Sequence, residues 1–174
     1  MFGSFWSGIQ QVELNANDDN KDGNMDGLLA YTGDGQDIKN IISNTTLSPL
    51  VVEGATIYKH ANVYYIFFSV GKCCEPSRES VRPGDEYHVV VCRSDSITGP
   101  FFDKDGKNCL TENGGTTILA SQGDVWAPGG QGVMWDENME KDVMYYHYGK
   151  SIFLSGRERD DGVLTLSSET QYWA

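Results

Sequence analysis

The chain has 174 residues, 39% of them hydrophobic and 11% aromatic, with 25 acidic against 13 basic side chains and a net charge of −12. That length fits one domain and that composition supports a packed core, which excludes a disordered chain. The acidic surface repels phosphate backbones, and no apolar run approaches the roughly 20 residues of a membrane span, so neither nucleic acid nor membrane is an expected partner.

The opening MFGSFWSGIQQVEL carries neither the basic stretch nor the continuous apolar core of a leader, and reads as a strand in progress over Gly8–Leu14. Asp18 to Gly27 imitates a calcium loop, with oxygen donors at Asp18, Asn20, Asp22 and Asp26 and Gly23 at the sixth place. Its twelfth position is Leu29, where a bidentate Glu is needed, so an acidic hairpin loop is the better account. Asp37–Ser43 is read as a helical turn. Asn44-Thr45-Thr46 is an N-glycosylation sequence.

Strands are then expected at Val51–Lys59, Tyr64–Ser69, His88–Ser94, Thr116–Leu119, Gly132–Asp136 and Val143–Gly149, separated by Gly, Asn, Asp and Pro clusters. The runs VYYIFF and VMYYHY are too continuously apolar for half-exposed strands and suit inner strands buried on both faces. The fold class is therefore all-β, and a propeller or a sandwich would both give this strand list. Cys73, Cys74, Cys92 and Cys109 fit no zinc spacing; four cysteines allow three pairings, which spacing does not choose between.

Chemistry centres on Glu53, in VVEGATIYK at an apolar strand entry before Gly54. Burial there would favour the protonated carboxyl that a general acid needs, although a lone Glu at a strand start is more often a surface residue. Trp6, Phe5 and Trp126 are candidate sugar-stacking faces, although such residues in β-proteins are more often core. Gly129 and Gly130, after GDVWAP, would permit a close backbone approach. His60 and His88 need no more than turn and strand surface. For His147, a core histidine held by hydrogen bonds suffices by type.

Taken together, FGSFW, VEGATIYKHANVYYIFFSVGKCC, CRSDSITGPFFDKDGK, GDVWAPGGQGVMWD and VMYYHY resemble, in collinear order over residues 1–149, glycoside hydrolase family 43, its endo-arabinanases in particular. The resemblance implies a five-bladed β-propeller of which about three blades are present, and an inverting hydrolase of secreted type acting on arabinan. It implies that Glu53 is the acid and that His147 helps hold a calcium ion beside the site. It puts the base and a tuning Asp ahead of Met1, so the reading expects an N-terminally truncated chain, inactive alone and prone to associate through open sheet edges. Asp34, Asp37, Asp124 and Asp136 are replacement bases by residue type only. Residues 150–174 are read as a divergent tail. The alternatives are a non-catalytic carbohydrate-binding or interaction domain, and an exo-acting arabinofuranosidase or xylosidase of the same family.

Overall fold

A computed structural model describes residues 1–4, 7–16, 29–30, 35–46, 51–73, 80–150 and 159–166. Twelve strands are found among them: β1 Phe2–Ser4, β2 Gly8–Gln11, β3 Asn15–Ala16, β4 Leu29–Ala30, β5 Lys39–Ile42, β6 Val52–His60, β7 Val63–Val70, β8 His88–Ser94, β9 Thr116–Leu119, β10 Val125–Asp136, β11 Lys141–Lys150 and β12 Arg159–Leu166. They form a four-stranded sheet in the order β6-β7-β8-β9, three-stranded sheets β1-β2-β5 and β10-β11-β12, and the pair β3-β4. Every strand pairing is antiparallel.

The four-stranded sheet lies in the middle because its inner strands carry long apolar runs, Val63–Phe68 in β7 and Val89–Cys92 in β8. Successive side chains of a strand point to opposite faces, so a continuous apolar run feeds two cores. On one face Ile66, Phe68, Val90 and Cys92 pack with Ile9, Ile41 and Ile42 from β2 and β5. On the other, Tyr65, Phe67, Val89 and Val91 pack with Met144 and Tyr146 of β11. A fully buried Phe such as Phe68 contributes about 2–3 kcal/mol by removal from water alone.

The helical turn expected at Asp37–Ser43 is instead β5, which pairs with β2 through Ile9↔Ile42, Gln10↔Asn40 and Gln11↔Lys39. One helical turn leaves most of its backbone groups unpaired, whereas the strand pairs them and buries Ile41 and Ile42. The first expected strand is shorter, ending at Gln11, and the one expected from Gly132 begins earlier, at Val125. Burial on both faces holds for the interior of β7, from Tyr65 to Val70, but not for β11, where Tyr145 and His147 are exposed. Within the region read as a tail, β12 pairs with β11 from Asp142↔Leu166 to Gly149↔Arg159.

Of the three possible cysteine pairings, the structure contains Cys92–Cys109. The segment after β8 folds back on it, with Arg93 and Phe102 exchanging backbone hydrogen bonds and Cys109 N donating to Phe101 O. Asp103 organises the same loop: Oδ1 accepts from Asp105 N and Lys107 N, and Oδ2 from Gly115 N. Burial works against ionisation of this carboxyl, but the three N–H donors prevail and hold it below its ordinary value.

Candidate active site

Glu53 is the second residue of β6, opposite Ser69 of β7, at a register shift that runs to Thr56. Gly54 takes φ +62°, a conformation that side chains rarely adopt, and this bulge gives the strand start its direction. Glu53 is half-buried rather than enclosed. Its Oε1 accepts a hydrogen bond from the Tyr87 hydroxyl at 2.9 Å. Among the described residues no hydrogen bond involves Oε2.

Tyr87 precedes β8 and is 8% exposed. Its backbone N donates to Lys72 O at 3.2 Å. Burial above all, and the neighbouring Glu53 carboxylate, push its phenol well above the ordinary range, with a hydrogen bond to Ser69 acting the other way. The ring lies against Gly129 of β10, where an added Cβ would be 1.9 Å from Tyr87 Cε1. The close approach expected at Gly129 is therefore made by an aromatic side chain of the protein itself.

Sheet-to-sheet hydrogen bonds complete the site. Ser69 Oγ donates to Gln131 Oε1 at 2.8 Å and accepts from Gly130 N at 3.1 Å. Gln131 Nε2 donates to Gly54 O at 2.7 Å, and Thr56 Oγ1 donates to Gln131 O at 3.2 Å. Ser69 and Gln131 are both buried, so their polar atoms require these partners. From the third sheet, Gly3 meets the backbone of Glu53; a Cβ there would be 3.2 Å from Glu53 Cα. Three sheets meet around the Glu53–Gly54 segment.

His147 lies on β11 opposite Gly129, and a Cβ on Gly130 would be 3.2 Å from His147 Cδ2. Gly130 in turn faces Gly54, so Glu53 and His147 flank the same glycine segment. Calcium takes six to eight oxygen ligands. Among the described residues no group of three His, Cys, Asp or Glu side chains is close enough to hold a metal ion, so those around His147 do not by themselves make a calcium site.

The other candidates are dispersed. Asp37 and Asp124 are exposed in turns, and Asp136 caps the β10–β11 hairpin by accepting from Asn138 N and Met139 N. Asp136 lies six positions beyond Gly130 along β10, about 20 Å at the rise of a strand, far beyond the reach of a paired carboxylate. Trp126 is half-buried with its indole against Gly149. Asp34, Phe5, Trp6, Cys74 and the Asp18–Gly27 loop lie outside the described residues.

Sequence reasoning missed a second polar cluster. Asp142, at the β10–β11 hairpin, is 6% exposed and accepts from the Tyr58 hydroxyl through Oδ1, while Oδ2 is 2.8 Å from His60 Nδ1. Burial, then the bond to Asp142, push the Tyr58 phenol up to about 12. His88, read as surface, has Nδ1 2.7 Å from Glu86 O.

Antiparallel sheets stacked face to face, presenting a hydrogen-bonded carboxylate at one end, define an all-β protein with a carboxylate-centred site. The chain belongs to glycosyl hydrolases family 43, whose sequence model matches residues 22–170. That match runs past residue 149, where the motifs stop. It is 42% identical over 167 residues to the probable arabinan endo-1,5-alpha-L-arabinosidase B of Aspergillus flavus, covering 90% of this chain and 46% of that protein. To the arabinan endo-1,5-alpha-L-arabinosidase A of Aspergillus aculeatus it is 42% identical over 147 residues, covering 84% and 41%. The structure is similar to the family 43 endo-arabinanase from Bacillus licheniformis, with a TM-score of 0.73 and 27% identity over 99% of this chain and 50% of that one. An alpha-L-arabinanase of Cellvibrio cellulosa, solved with arabinohexaose, has the same fold, with a TM-score of 0.73 and 24% identity over 99% and 50%. The chain thus spans about half the length of the relatives it matches.

Proposed function

We propose that this chain carries the proton-donating side of an inverting glycoside hydrolase that cleaves α-1,5-linked arabinan, with Glu53 as the general acid. The observation that carries the reading is the Glu53–Tyr87 pair: a neutral, buried phenol holds Oε1 and leaves Oε2 for the substrate. In the reaction Glu53 gives its proton to the glycosidic oxygen as the bond to the anomeric carbon breaks. Water attacks that carbon from the opposite face and yields its proton to a second carboxylate roughly 6.5–9.5 Å from the first. The Tyr87 hydrogen bond favours the Glu53 carboxylate left behind, so it strengthens as the proton departs. No described Asp is assigned as that second carboxylate.

In the same reading β6–β9 is one complete blade, flanked by the β1-β2-β5 and β10-β11-β12 sheets, about three blades of a five-bladed propeller. Calcium remains the expected neighbour of His147 in the whole protein, where His147 would help to hold it. Export to an oxidising compartment is supported by the Cys92–Cys109 disulfide. No helix among the described residues is long and apolar enough to cross a membrane.

The test compares hydrolysis of debranched linear arabinan by the whole protein and by its Glu53→Gln variant. The expected loss is on the order of 10²–10⁴-fold. A nitrophenyl arabinofuranoside, whose leaving group needs no proton, should lose far less. Retained arabinan turnover, or equal losses on the two substrates, would refute the assignment of Glu53 as acid.

A further inference from the structure

Asn44-Thr45-Thr46 is the single Asn-x-Ser/Thr sequence in the chain, and its middle residue is not proline. It follows β5 directly, with Asn44 half-buried and Thr45 and Thr46 exposed. Asn44 Oδ1 accepts from Thr46 N at 2.9 Å and from Thr46 Oγ1 at 2.5 Å. A backbone N–H only donates, so the atom facing Thr46 must be the amide oxygen, and Nδ2 is the atom turned away. Among the described residues, Nδ2 has no hydrogen-bond partner.

The loop is held by its flanks and not by that nitrogen. Ser43 N donates to Cys109 O at 3.0 Å, next to the disulfide. Thr45 N and Thr45 Oγ1 both donate to Asn113 Oδ1, at 2.8 and 3.1 Å. A substituent on Nδ2 would break none of these contacts. The Thr46 hydroxyl of the motif already donates to the Asn44 amide oxygen, and the same loop rests on a disulfide-tethered segment of the kind found in oxidising compartments.

We propose that Asn44 carries an N-linked oligosaccharide on Nδ2, acquired in a eukaryotic secretory pathway; this rests on the reading of an exported protein. The donor class is a lipid-pyrophosphate-linked oligosaccharide. Its sugar C1–O bond to the pyrophosphate breaks, a C1–Nδ2 bond forms, Nδ2 gives up one proton, and the lipid pyrophosphate leaves. The glycan then stands over the loop as a hydrated, solubilising cover.

The test is to express the full chain in yeast behind a host leader and map its peptides from both medium and lumenal fractions. Treatment with peptide-N-glycosidase in heavy-oxygen water converts a glycosylated Asn to a mass-tagged Asp. The expected result is one glycan per chain, tagged at Asn44, absent from Asn44→Gln and Thr46→Ala and retained in Thr46→Ser. A bare Asn44 in protein from these fractions overturns the inference while leaving export intact, as does a glycan that survives Asn44→Gln. Because the leader is the host's, failure of the export reading is scored separately, by finding the native protein confined to the cytoplasm of its own source.

Discussion

Gly129→Ala places one methyl group where the structure has none to spare. The new Cβ would be 1.9 Å from Tyr87 Cε1, 2.3 Å from Cδ1 and 2.8 Å from Ser69 Oγ. Carbon atoms rest at about 3.5–4.0 Å, so the Tyr87 ring would have to retreat by roughly 1.5–2 Å. It has little room: the residue is 8% exposed, its backbone is bound to Lys72, and its hydroxyl is bound to Glu53. Overpacking of this kind costs about 1–3 kcal/mol, and displacement of the hydroxyl adds the loss of its hydrogen bond to Glu53. Urea unfolding of the full chain should show a lower midpoint with an unchanged slope. Combined with Tyr87→Ala, which empties the space, Gly129→Ala should cost clearly less, because only the 2.8 Å approach to Ser69 Oγ is then left. Equal costs in the two backgrounds would mean that the ring does not lie on Gly129, and the account of how Glu53 is held would fail with it.

Tyr87→Phe keeps the ring and removes only the hydroxyl, so in the whole protein it should lower kcat on arabinan several-fold with little change in KM. An unchanged kcat would remove Tyr87 from the site. Asp142→Ala leaves Tyr58 and His60 without their shared acceptor, and a destabilisation of about 2–4 kcal/mol is expected by urea titration. A cost near zero would show that the cluster carries no stability. Reduction of Cys92–Cys109, which spans 17 residues of sequence, should cost about 3 kcal/mol, read as a lower Tm in reductant. Asp103 is depressed in the folded state, so its contribution is present above the unfolded value of about 4 and is lost as pH falls through the folded one. Amide exchange in residues 103–115 should therefore quicken below about pH 4, and Asp103→Asn should abolish that dependence.

The central sheet was legible because VYYIFF is continuously apolar: six consecutive residues of β7 are buried, Tyr65 to Val70, and all but Ser69 are apolar. β5 was not, since Ile38, Ile41 and Ile42 sit at helical spacing and only pairing with β2, some thirty residues earlier, decides otherwise. Glu53 carries no local mark of chemistry, and resemblance rather than residue type singled it out. Tyr87 follows two acidic residues ahead of a strand and looks like an edge residue; its partner is 34 residues away in sequence. Asp142 sits in what reads as a charged turn, and its burial depends on Tyr58, 84 residues distant. The glycines of PGGQG announced a close approach, but no local rule names the side chain that makes it.

Strand β6 is fastened to the β10–β11 hairpin near both of its ends, by Gln131 at Gly54 and Thr56 and by Asp142 at Tyr58 and His60. From Gly54 to His60 the strand runs roughly 20 Å. Over such a lever arm, an error of 1 Å at the far fastening turns the strand by only about 3°, and the carboxylate at the near end hardly moves. Two fastenings set far apart thus give an angular precision that neither would give alone. A residue as remote from the chemistry as Asp142 helps to fix the direction in which Glu53 points.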